Sequence, residues 1–442
     1  MADELGPERH ALFQDILVRR DRTGAEGFLE DITAPELPSA TWVELAVSAK
    51  EAGFADIGEK MLLRALEIDP RDPAAHYELA VIYRLSDRKH QAIGHLLTAR
   101  AIVPRHFPIR QLLAHMLYAI GAHPEAEEVI RSIAPGSAKE DEALAVLREF
   151  GTYLQEVPHG RARYLVEEVQ RRFRYVAAAQ VAAAIRSAIQ DRRPFSLVRL
   201  GDGEGAFATI DQEDEARYAR LYGSHRREWC RLLYGADFDP AFTGYTAVVG
   251  TLMAVACEAD IVGIPYLSWV DHEYAISSVR GVPCLMNIHR NFLRSQDPVG
   301  PIVCAQNIHT EFHRQNLIEP LLRMTKDIGL ISCLPDLPAM LRSRFGLDNV
   351  ELFKIPGERY SQTLLSGEAL AGEHFPFVYW EIVRRLSQPH NGRVFLIAAG
   401  TLAKFYAAVI KRHGGIALDI GSLVDGWMKI ASRPGYDGRL AL

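Results

Sequence analysis

The chain has 442 residues, of which 48% are hydrophobic and 24% are charged, and its formal net charge is −6 at pH 7. This composition is typical of a globular protein and excludes a mostly disordered chain, because disorder needs low hydrophobicity and high net charge. The acidic balance also argues against a dedicated nucleic-acid-binding protein, since such proteins usually carry a strong basic excess.

The sequence contains no segment typical of secretion or of membrane insertion. The N-terminus, MADELGPERH, lacks the basic start and the apolar core of a secretory signal. The apolar run from Ala247 to Cys257 is much shorter than the roughly 20 residues that a membrane-spanning helix needs. We therefore expect a cytoplasmic protein without a transmembrane segment.

The first third of the chain contains a pattern that recurs every 34 residues. Within residues 39–106, Gly58 corresponds to Ala92, so a small residue recurs where two helices would approach closely. Pro70 corresponds to Pro104, and each proline is expected to end its unit because it cannot donate the next helical hydrogen bond.

This pattern resembles the tetratricopeptide repeat in its period and in the placement of small and large residues. A weaker third copy covers residues 107–138. Helices around 7–20 and 140–154 are expected to cap the array, because a terminal repeat otherwise exposes its apolar face. The concave surface of such an array can bind a protein or peptide, or it can pack against the next domain or a second copy of the chain.

Short apolar runs alternate with helical segments from residue 193 onward. Runs without polar alternation suit strands that are covered on both faces, and their alternation with helices predicts a mainly parallel sheet in a Rossmann-like α/β sandwich. Residues 246–257 are expected to form a buried helix. The predicted strands are FSLVRL (195–200), ADIVGIPY (259–266), PIVCAQN (301–307), IGLISCL (328–334), VELFKIP (350–356), GRVFLIAAG (392–400) and IALDI (416–420).

These patterns predict two domains and a connection. We expect a helical repeat domain over residues 1–155, a bridging helix over 156–192 and an α/β domain over 193–442. The distribution of cysteine agrees with separate modules, because all five cysteines lie after residue 229. None forms a CxxC pair, which favours reduced thiols over a disulfide framework or a zinc site.

The loop after the first predicted strand is the most informative one, because ligands of such sheets bind beyond the carboxyl ends of the strands. Arg199 is followed there by Gly201 and Gly203, which let a phosphate approach the backbone. Asp202 and Glu204 would place two negative charges beside a pyrophosphate, which argues against an NAD-type fingerprint unless a cation is present.

A site for a metal ion and a diphosphate is the interpretation that gives each of these residues a role. We expect Asp202 and Glu204 to point the same way from an extended segment and to share one Mg²⁺ or Mn²⁺, which prefer hard oxygen ligands. Arg199 can donate to a phosphate or pair with one of the carboxylates. The alternative is a tight acidic turn in which Arg199 makes a structural ion pair.

Further candidates follow the later strands. Gly400 and Thr401 are expected to open a helix whose N-terminal amides, with Lys404 one turn on, bind an anion. An ordinary capped helix is the alternative, since threonine is a common N-cap. For His309 a structural role is the alternative to a catalytic one. The candidates for the catalytic base, each placed after a strand, are His309, Glu358 and Asp425.

The sequence VRLGDGE (198–204) resembles the signature loop of the GT-D glycosyltransferases, a bacterial class of nucleotide-sugar-dependent enzymes with a Rossmann-like fold. LIAAGTLAK (396–404) and ALDIGS (417–422) are similar to that family's strand–glycine–helix turn and closing strand. The resemblance covers residues 190–435 and implies metal-dependent binding of a nucleotide diphosphate sugar at Asp202 and Glu204. Some members carry a histidine and further acids after the closing strand, where this chain has LVDGW.

We therefore favour a metal-dependent glycosyltransferase that moves a sugar from a nucleotide diphosphate sugar to an acceptor hydroxyl, with Mn²⁺ or Mg²⁺ as cofactor. The repeats are expected to recruit an acceptor protein or a glycan-assembly component, no nucleic acid is expected as a partner, and a homo-oligomer is left open. The alternatives are an NAD-type oxidoreductase and a non-catalytic repeat scaffold with a nucleotide-binding domain. The sequence names neither the donor nor the acceptor.

Overall fold

The structure, a computed structural model, describes residues 6–32, 37–208, 210–294, 300–361, 363–365, 367–430 and 432. The chain divides into two compact units. The helical unit contains the chain up to Pro158 together with His272–Val279, and the α/β unit contains His159–Asp271 and the chain from Arg280 onward. Among the described residues, none of the helices combines the length and the apolar character needed to cross a bilayer.

Helix pairs of the helical unit repeat at the predicted interval, which confirms the helical repeat. Three consecutive pairs begin at Ser39, Pro73 and Phe107, and each start lies 34 residues after the previous one. The flanking helices that were expected as caps are present at both ends. The helices of this unit are Pro7–Val18, Arg22–Asp31, Ser39–Glu51, Ala55–Ile68, Pro73–Leu85, Lys89–Ile102, Phe107–Ala119, His123–Arg131 and Ala138–Glu156.

The local sequence explains where several of these helices begin. The side chain of Asp72 accepts hydrogen bonds from the amides of Ala74 and Ala75, and Pro73 takes the first helical position, where its missing N–H costs nothing. Ser137 caps the last helix in the same manner by accepting from the amide of Glu140. These caps satisfy amides that have no partner inside the helix.

In the part of the α/β unit that the structure describes, seven strands form one sheet, and all of them pair in parallel. Each strand overlaps one of the predicted segments, so the predicted α/β class with a mainly parallel sheet is confirmed. The order across the sheet is β3-β2-β1-β7-β6-β4-β5. The strands are β1 (Phe195–Arg199), β2 (Ile261–Ile264), β3 (Ile302–Ala305), β4 (Asp327–Ser332), β5 (Asn349–Lys354), β6 (Val394–Ile397) and β7 (Ile416–Asp419).

Helices cover both faces of this sheet. On β1, Val198 and Leu197 enter two different cores, because successive side chains of a strand point to opposite faces. This double covering explains the apolar strand sequences. The α-helices of the unit are His159–Arg172, Ala178–Gln190, Asp202–Gly205, Gln212–Arg217, Ala219–Tyr234, Tyr245–Val249, Leu252–Cys257, Leu267–Ala275 (whose last residues belong to the helical unit), Gly281–Arg294, Ile308–Arg314, Ile318–Leu322, Leu337–Phe345, Gly367–Leu370, Tyr379–Leu386, Ala403–Arg412 and Leu423–Trp427. Short 3₁₀ turns cover Arg359–Ser361 and Gly400–Leu402, and a π turn covers His374–Val378.

The prediction of one bridging helix over residues 156–192 is wrong, because this region forms the two helices His159–Arg172 and Ala178–Gln190. The backbone between them is extended along β3: the amide of Val176 donates to the carbonyl of Val303 at 2.9 Å. This sheet-like pairing interrupts the helix.

The predicted buried helix over residues 246–257 is also divided into two short helices. They are separated at Gly250 and Thr251, which are weak helix formers. The hydroxyl of Thr251 donates to the carbonyl of Val248 at 2.8 Å, so the side chain competes with the helical backbone bonds.

Strands β1 and β7 lie next to each other inside the sheet, with β2 and β3 on one side and β6, β4 and β5 on the other. The chain fills the first side and then crosses to the second between β3 and β4. In open α/β sheets, the crevice at such a reversal of strand order is where ligands bind. The carboxyl ends of β1 and β7 are therefore the first place to look for a site.

Candidate functional site

Four charged side chains form a buried network at the carboxyl ends of β1 and β7. Arg199 ends β1 and Asp419 ends β7, while Glu204 follows β1 and Lys404 follows β6. The exposed fractions of these side chains are 9% for Arg199, 2% for Asp419, 11% for Glu204 and 4% for Lys404. We call these four residues the charge network.

Each charge of the network has an opposite charge beside it. Lys404 Nζ lies 2.7 Å from Glu204 Oε1 and 3.2 Å from Asp419 Oδ2. Arg199 Nη2 lies 3.2 Å from Asp419 Oδ1, and Arg199 Nε donates to the Asp419 carbonyl at 3.0 Å. Two cations thus meet two anions, which is the compensation that buried charges require.

Asp419 is the centre of the network. Burial alone raises the pKa of this carboxyl, but Lys404 and Arg199 outweigh burial and hold the pKa below its usual value, so Asp419 stays charged. Gly421 packs against the same guanidinium: its φ is +48°, and a Cβ there would lie 1.9 Å from Arg199 Nη2. Sequence reasoning missed Asp419, although a single acid in the apolar strand IALDI was a usable signal.

The two acids of the loop after β1 have different surroundings. The prediction of an extended segment is wrong, because residues Asp202–Gly205 form a helical turn. Glu204 therefore reaches back, and its Oε2 accepts from the amide of Gly201 at 2.8 Å while Oε1 faces Lys404. Asp202 points elsewhere: its side chain is 29% exposed, and its Oδ2 lies 3.8 Å from Arg280 Nε.

This geometry does not suit a metal ion at Glu204. Each oxygen of Glu204 already has a hydrogen-bond partner, and the nearest cation is the ammonium of Lys404. Among the residues that the structure describes, no group of three or more His, Cys, Asp or Glu side chains is arranged to hold a metal ion. Asp202 is the more exposed of the two acids, and Arg280 is the cation beside it.

Arg280 and Trp229 complete the surroundings of this glycine turn. The Arg280 guanidinium carbon lies 5.1 Å from the ring centre of Trp229, and Nη1 lies 2.9 Å from Glu228 Oε1. Gly203 faces the same ring, since a Cβ there would lie 3.4 Å from Trp229. A partly exposed guanidinium beside glycine backbone is a group that can bind phosphate. Nothing in the local sequence around Arg280 indicated this position.

His309 contacts the charge network from the helix that follows β3. It is buried, and its Nδ1 lies 2.8 Å from Arg199 Nη1. Nε2 lies 3.3 Å from the same Nη1, and because a guanidinium can only donate, the ring nitrogen that it contacts acts as an acceptor. This contact lets His309 orient Arg199; its use as a catalytic base stays a prediction.

Gly400 contacts both the charge network and a second pair of acids, Glu358 and Asp425, through Glu358. Lys404 Nζ donates to the Gly400 carbonyl at 3.2 Å, and a Cβ on Gly400 would lie 3.1 Å from Glu358 Oε1. The φ of Gly400 is +53°, a conformation that favours glycine. Gly400 and the buried Thr401 lie in the 3₁₀ turn that leads into Ala403–Arg412, close to their predicted place at a helix start.

Asp425 is the second acid of this pair. Burial raises its pKa to about 6; the hydroxyl of Ser432, which donates to Oδ2 at 2.5 Å, opposes this, and the negative charge of Glu358 adds to it. A carboxyl with such a pKa can exchange a proton near neutral pH.

Contacts at the carboxyl edge of the sheet thus connect residues from seven separate chain segments among the described residues, and the predicted candidates all lie in the α/β unit. The residues that sequence reasoning missed are Trp229, Arg280, Asp419 and Ser432. The predicted candidates, which lie at the ends of the strands or in the segments that follow them, are Arg199, Gly201, Asp202, Gly203, Glu204, His309, Glu358, Gly400, Thr401, Lys404 and Asp425.

Comparison with known protein families supports the repeat assignment. Residues 61–101 match the tetratricopeptide repeat family. The match covers part of the first helix pair and nearly all of the second. No curated protein was found to match the chain.

Proposed function

We propose that the α/β unit is a glycosyltransferase that moves a sugar from a nucleotide diphosphate sugar to an acceptor hydroxyl. The observation that carries this proposal is the meeting of two kinds of groups at one edge of the sheet. One is the glycine turn with Asp202 and Arg280, and the other is the acid pair Glu358 and Asp425. The resemblance of the VRLGDGE loop to GT-D enzymes points to the same chemistry.

The glycine turn suits the diphosphate of the donor. Gly201 and Gly203 carry no side chains that would keep a phosphate away, and Arg280 offers a fork of N–H donors. A divalent cation held at Asp202 would offset the charge of the diphosphate. The bond from the Gly201 amide to Glu204, which is itself held by Lys404, fixes the shape of the turn before a ligand binds.

Asp425 is the proposed general base. With a pKa of about 6 it is mostly deprotonated at pH 7, yet it is a stronger base than an ordinary aspartate. It would take the proton of the acceptor hydroxyl while that oxygen bonds to the anomeric carbon. The bond from the anomeric carbon to the diphosphate breaks in the same step, and its electron pair leaves with the diphosphate.

The donor half of the proposal is tested by thermal shift and by nucleotide release. The purified chain should be stabilised by one nucleoside diphosphate together with Mn²⁺, and it should slowly hydrolyse the matching nucleotide sugar. Asp202→Asn should lower metal-dependent hydrolysis at least tenfold without a change in melting temperature, because this side chain is partly exposed and lies outside the charge network. The exposed Asp348→Asn is the matched control.

Other results of this screen would reject the transferase. Stabilisation by NAD without metal would favour an oxidoreductase, and nucleotide binding without hydrolysis would favour a non-catalytic scaffold. Full hydrolysis by Asp202→Asn would remove the proposed role of the glycine turn.

The catalytic half is tested with Asp425→Asn, which should lower kcat about 100-fold or more. The rate of the unaltered enzyme should rise with pH around a midpoint near 6, as Asp425 loses its proton, and the variant should lack this rise. The exposed Glu381→Gln is the control.

The same variant has a distinct effect on stability. Because the folded-state pKa of Asp425 is raised above 3.8, its charged form opposes folding at higher pH. Asp425→Asn should therefore raise the free energy of unfolding at pH 8 by about 1–3 kcal/mol, and this gain should vanish below pH 4, where both states carry the proton. A loss of stability at pH 8 with unchanged kcat would assign Asp425 a structural role.

A further inference from the structure

The helical unit includes a segment from much further along the chain. Residues His272–Val279 belong to the same compact unit as the chain up to Pro158. In sequence they lie between β2 and β3, inside the connection that otherwise belongs to the α/β unit. They comprise the end of the helix Leu267–Ala275 and the turn that follows it.

Two neighbouring repeats each donate a hydrogen bond to the backbone of this turn. Arg84 Nη1 donates to the carbonyl of Ile276 at 3.2 Å, and His115 Nε2 donates to the carbonyl of Ser277 at 2.8 Å. Arg84 lies on the first helix of the second pair, and His115 lies on the first helix of the third pair. Consecutive repeats therefore bind consecutive carbonyl groups.

A third bond connects the segment to the end of the array. The hydroxyl of Tyr274 donates to the carbonyl of Val157, which directly follows the helix Ala138–Glu156, at 2.6 Å. Tyr274 and Ser277 are buried. Ser277 has a φ of +51°, a left-handed conformation that is uncommon for residues other than glycine, so this turn has a specific shape.

The groups that bind this segment depend on it for their hydrogen bonds. Burial lowers the pKa of His115 to about 4, and the nearby charge of Arg84 acts in the same direction, so the imidazole is neutral and donates through Nε2. If the segment left without replacement, the buried donor of His115 and the inward N–H of Arg84 would lose their acceptors. An unsatisfied buried donor costs about 1–3 kcal/mol.

We propose that the surface formed by Arg84, His115 and the carbonyl of Val157 is a peptide-binding site whose occupant is the chain's own segment 272–279. This surface is then not open to a separate acceptor. In sequence, the segment is flanked by Trp269 and Arg280. Both lie close to the glycine turn of the α/β unit.

The test is hydrogen–deuterium exchange on the full-length chain. Arg84→Ala combined with His115→Ala should speed the exchange of the Ile276, Ser277 and Ser278 amides at least tenfold. The helices Pro73–Leu85 and Phe107–Ala119 should keep their protection. The control is His90→Ala combined with Arg105→Ala, which makes the same substitutions at exposed positions of the helical unit.

A second variant keeps the test decisive if the double substitution also loosens the repeats. Tyr274→Phe removes the hydroxyl that donates to Val157 and leaves every repeat residue unchanged. It should speed exchange of the same amides several-fold, with unchanged exchange in the repeat helices. Unchanged exchange of the segment in both variants would overturn the proposal, as would a segment that exchanges in the unaltered chain as fast as a free peptide.

Discussion

The helical unit and the α/β unit place their charged side chains differently. In the helical unit, Arg22 and Asp56 pair between helices with exposed fractions of 53% and 51%, whereas Lys404 and Glu204 of the α/β unit pair with 4% and 11%. Ion pairs open to solvent contribute little to stability, while buried ones carry a large desolvation cost. The helical unit therefore depends on apolar packing between repeats. The α/β unit keeps costly charges at one edge of its sheet, where they hold the glycine turn.

Among the substitutions that test this comparison, Gly205→Ala in the α/β unit should have the largest effect on stability. A Cβ on Gly205 would lie 2.0 Å from the carbonyl oxygen of Cys284, a backbone atom of the buried part of Gly281–Arg294. Because a real Cβ does not approach a backbone oxygen this closely, one backbone must shift, and we expect a loss of more than about 4 kcal/mol in the free energy of unfolding, or no folded protein at all. Soluble yield and calorimetric unfolding measure this effect.

Gly160→Ala is the control for this substitution. Gly160 is exposed on a helix of the same unit, and no atom lies within 4 Å of the added methyl group. Alanine should leave stability unchanged or raise it by up to about 1 kcal/mol. If Gly205→Ala changed stability as little as this control, the result would contradict the close packing of the turn against Gly281–Arg294.

The next largest effect is expected from Lys404→Met. The substitution keeps most of the apolar length of the side chain but leaves Glu204 without its cation and Asp419 with Arg199 alone. Removal of one partner from a buried ion pair typically costs about 3–5 kcal/mol. Urea unfolding measures the loss.

Lys411→Met makes the same change about two turns further along the same helix. Lys411 lies on the same helix and pairs with Asp260 at 2.9 Å, but its side chain is 25% exposed, so the loss should be at most about 1 kcal/mol. Adding Glu204→Gln to Lys404→Met should recover part of the stability, because the uncompensated charge is then gone. Equal losses for Lys404→Met and Lys411→Met would show that the charge network is not more important than a surface pair.

The sequence was sufficient for the fold because the signals for repeats and strands are local. The equivalent helices of the array start at the predicted spacing, and each strand of the sheet overlaps a predicted apolar run. One exception depends on a tertiary contact: the break near Val176 arises from pairing with Val303, a partner far away in sequence. The other, the division at Gly250 and Thr251, has a local cause.

The sequence indicated where the candidate site lies but not which of its charged side chains form ion pairs with each other. Strand-end loops indicated Asp202, Glu204 and Lys404, because ligands of parallel sheets bind at that edge. The sequence did not show that Glu204 meets Lys404, two hundred residues later, and turns away from Asp202. Which acid meets which cation is decided when distant loops pack together. The same reason hides Arg280, whose role depends on a loop that is remote in sequence.

The smallest expected effect is that of Gly58→Ala in the helical unit, and it tests whether the repeats tolerate close approach better than the sheet. A Cβ on Gly58 would lie 2.9 Å from the carbonyl of Ala46, yet the equivalent positions of the next repeats hold Ala92 and Ala126, both fully buried. Since each repeat contacts only its neighbours, the two helices can separate slightly, and the higher helix propensity of alanine offsets about 1 kcal/mol of the strain. The free energy of unfolding should therefore change by less than about 1 kcal/mol in calorimetry. Gly94→Ala, with open space around it, is the control. A loss for Gly58→Ala as large as that for Gly205→Ala would mean that the repeats are packed as rigidly as the α/β unit.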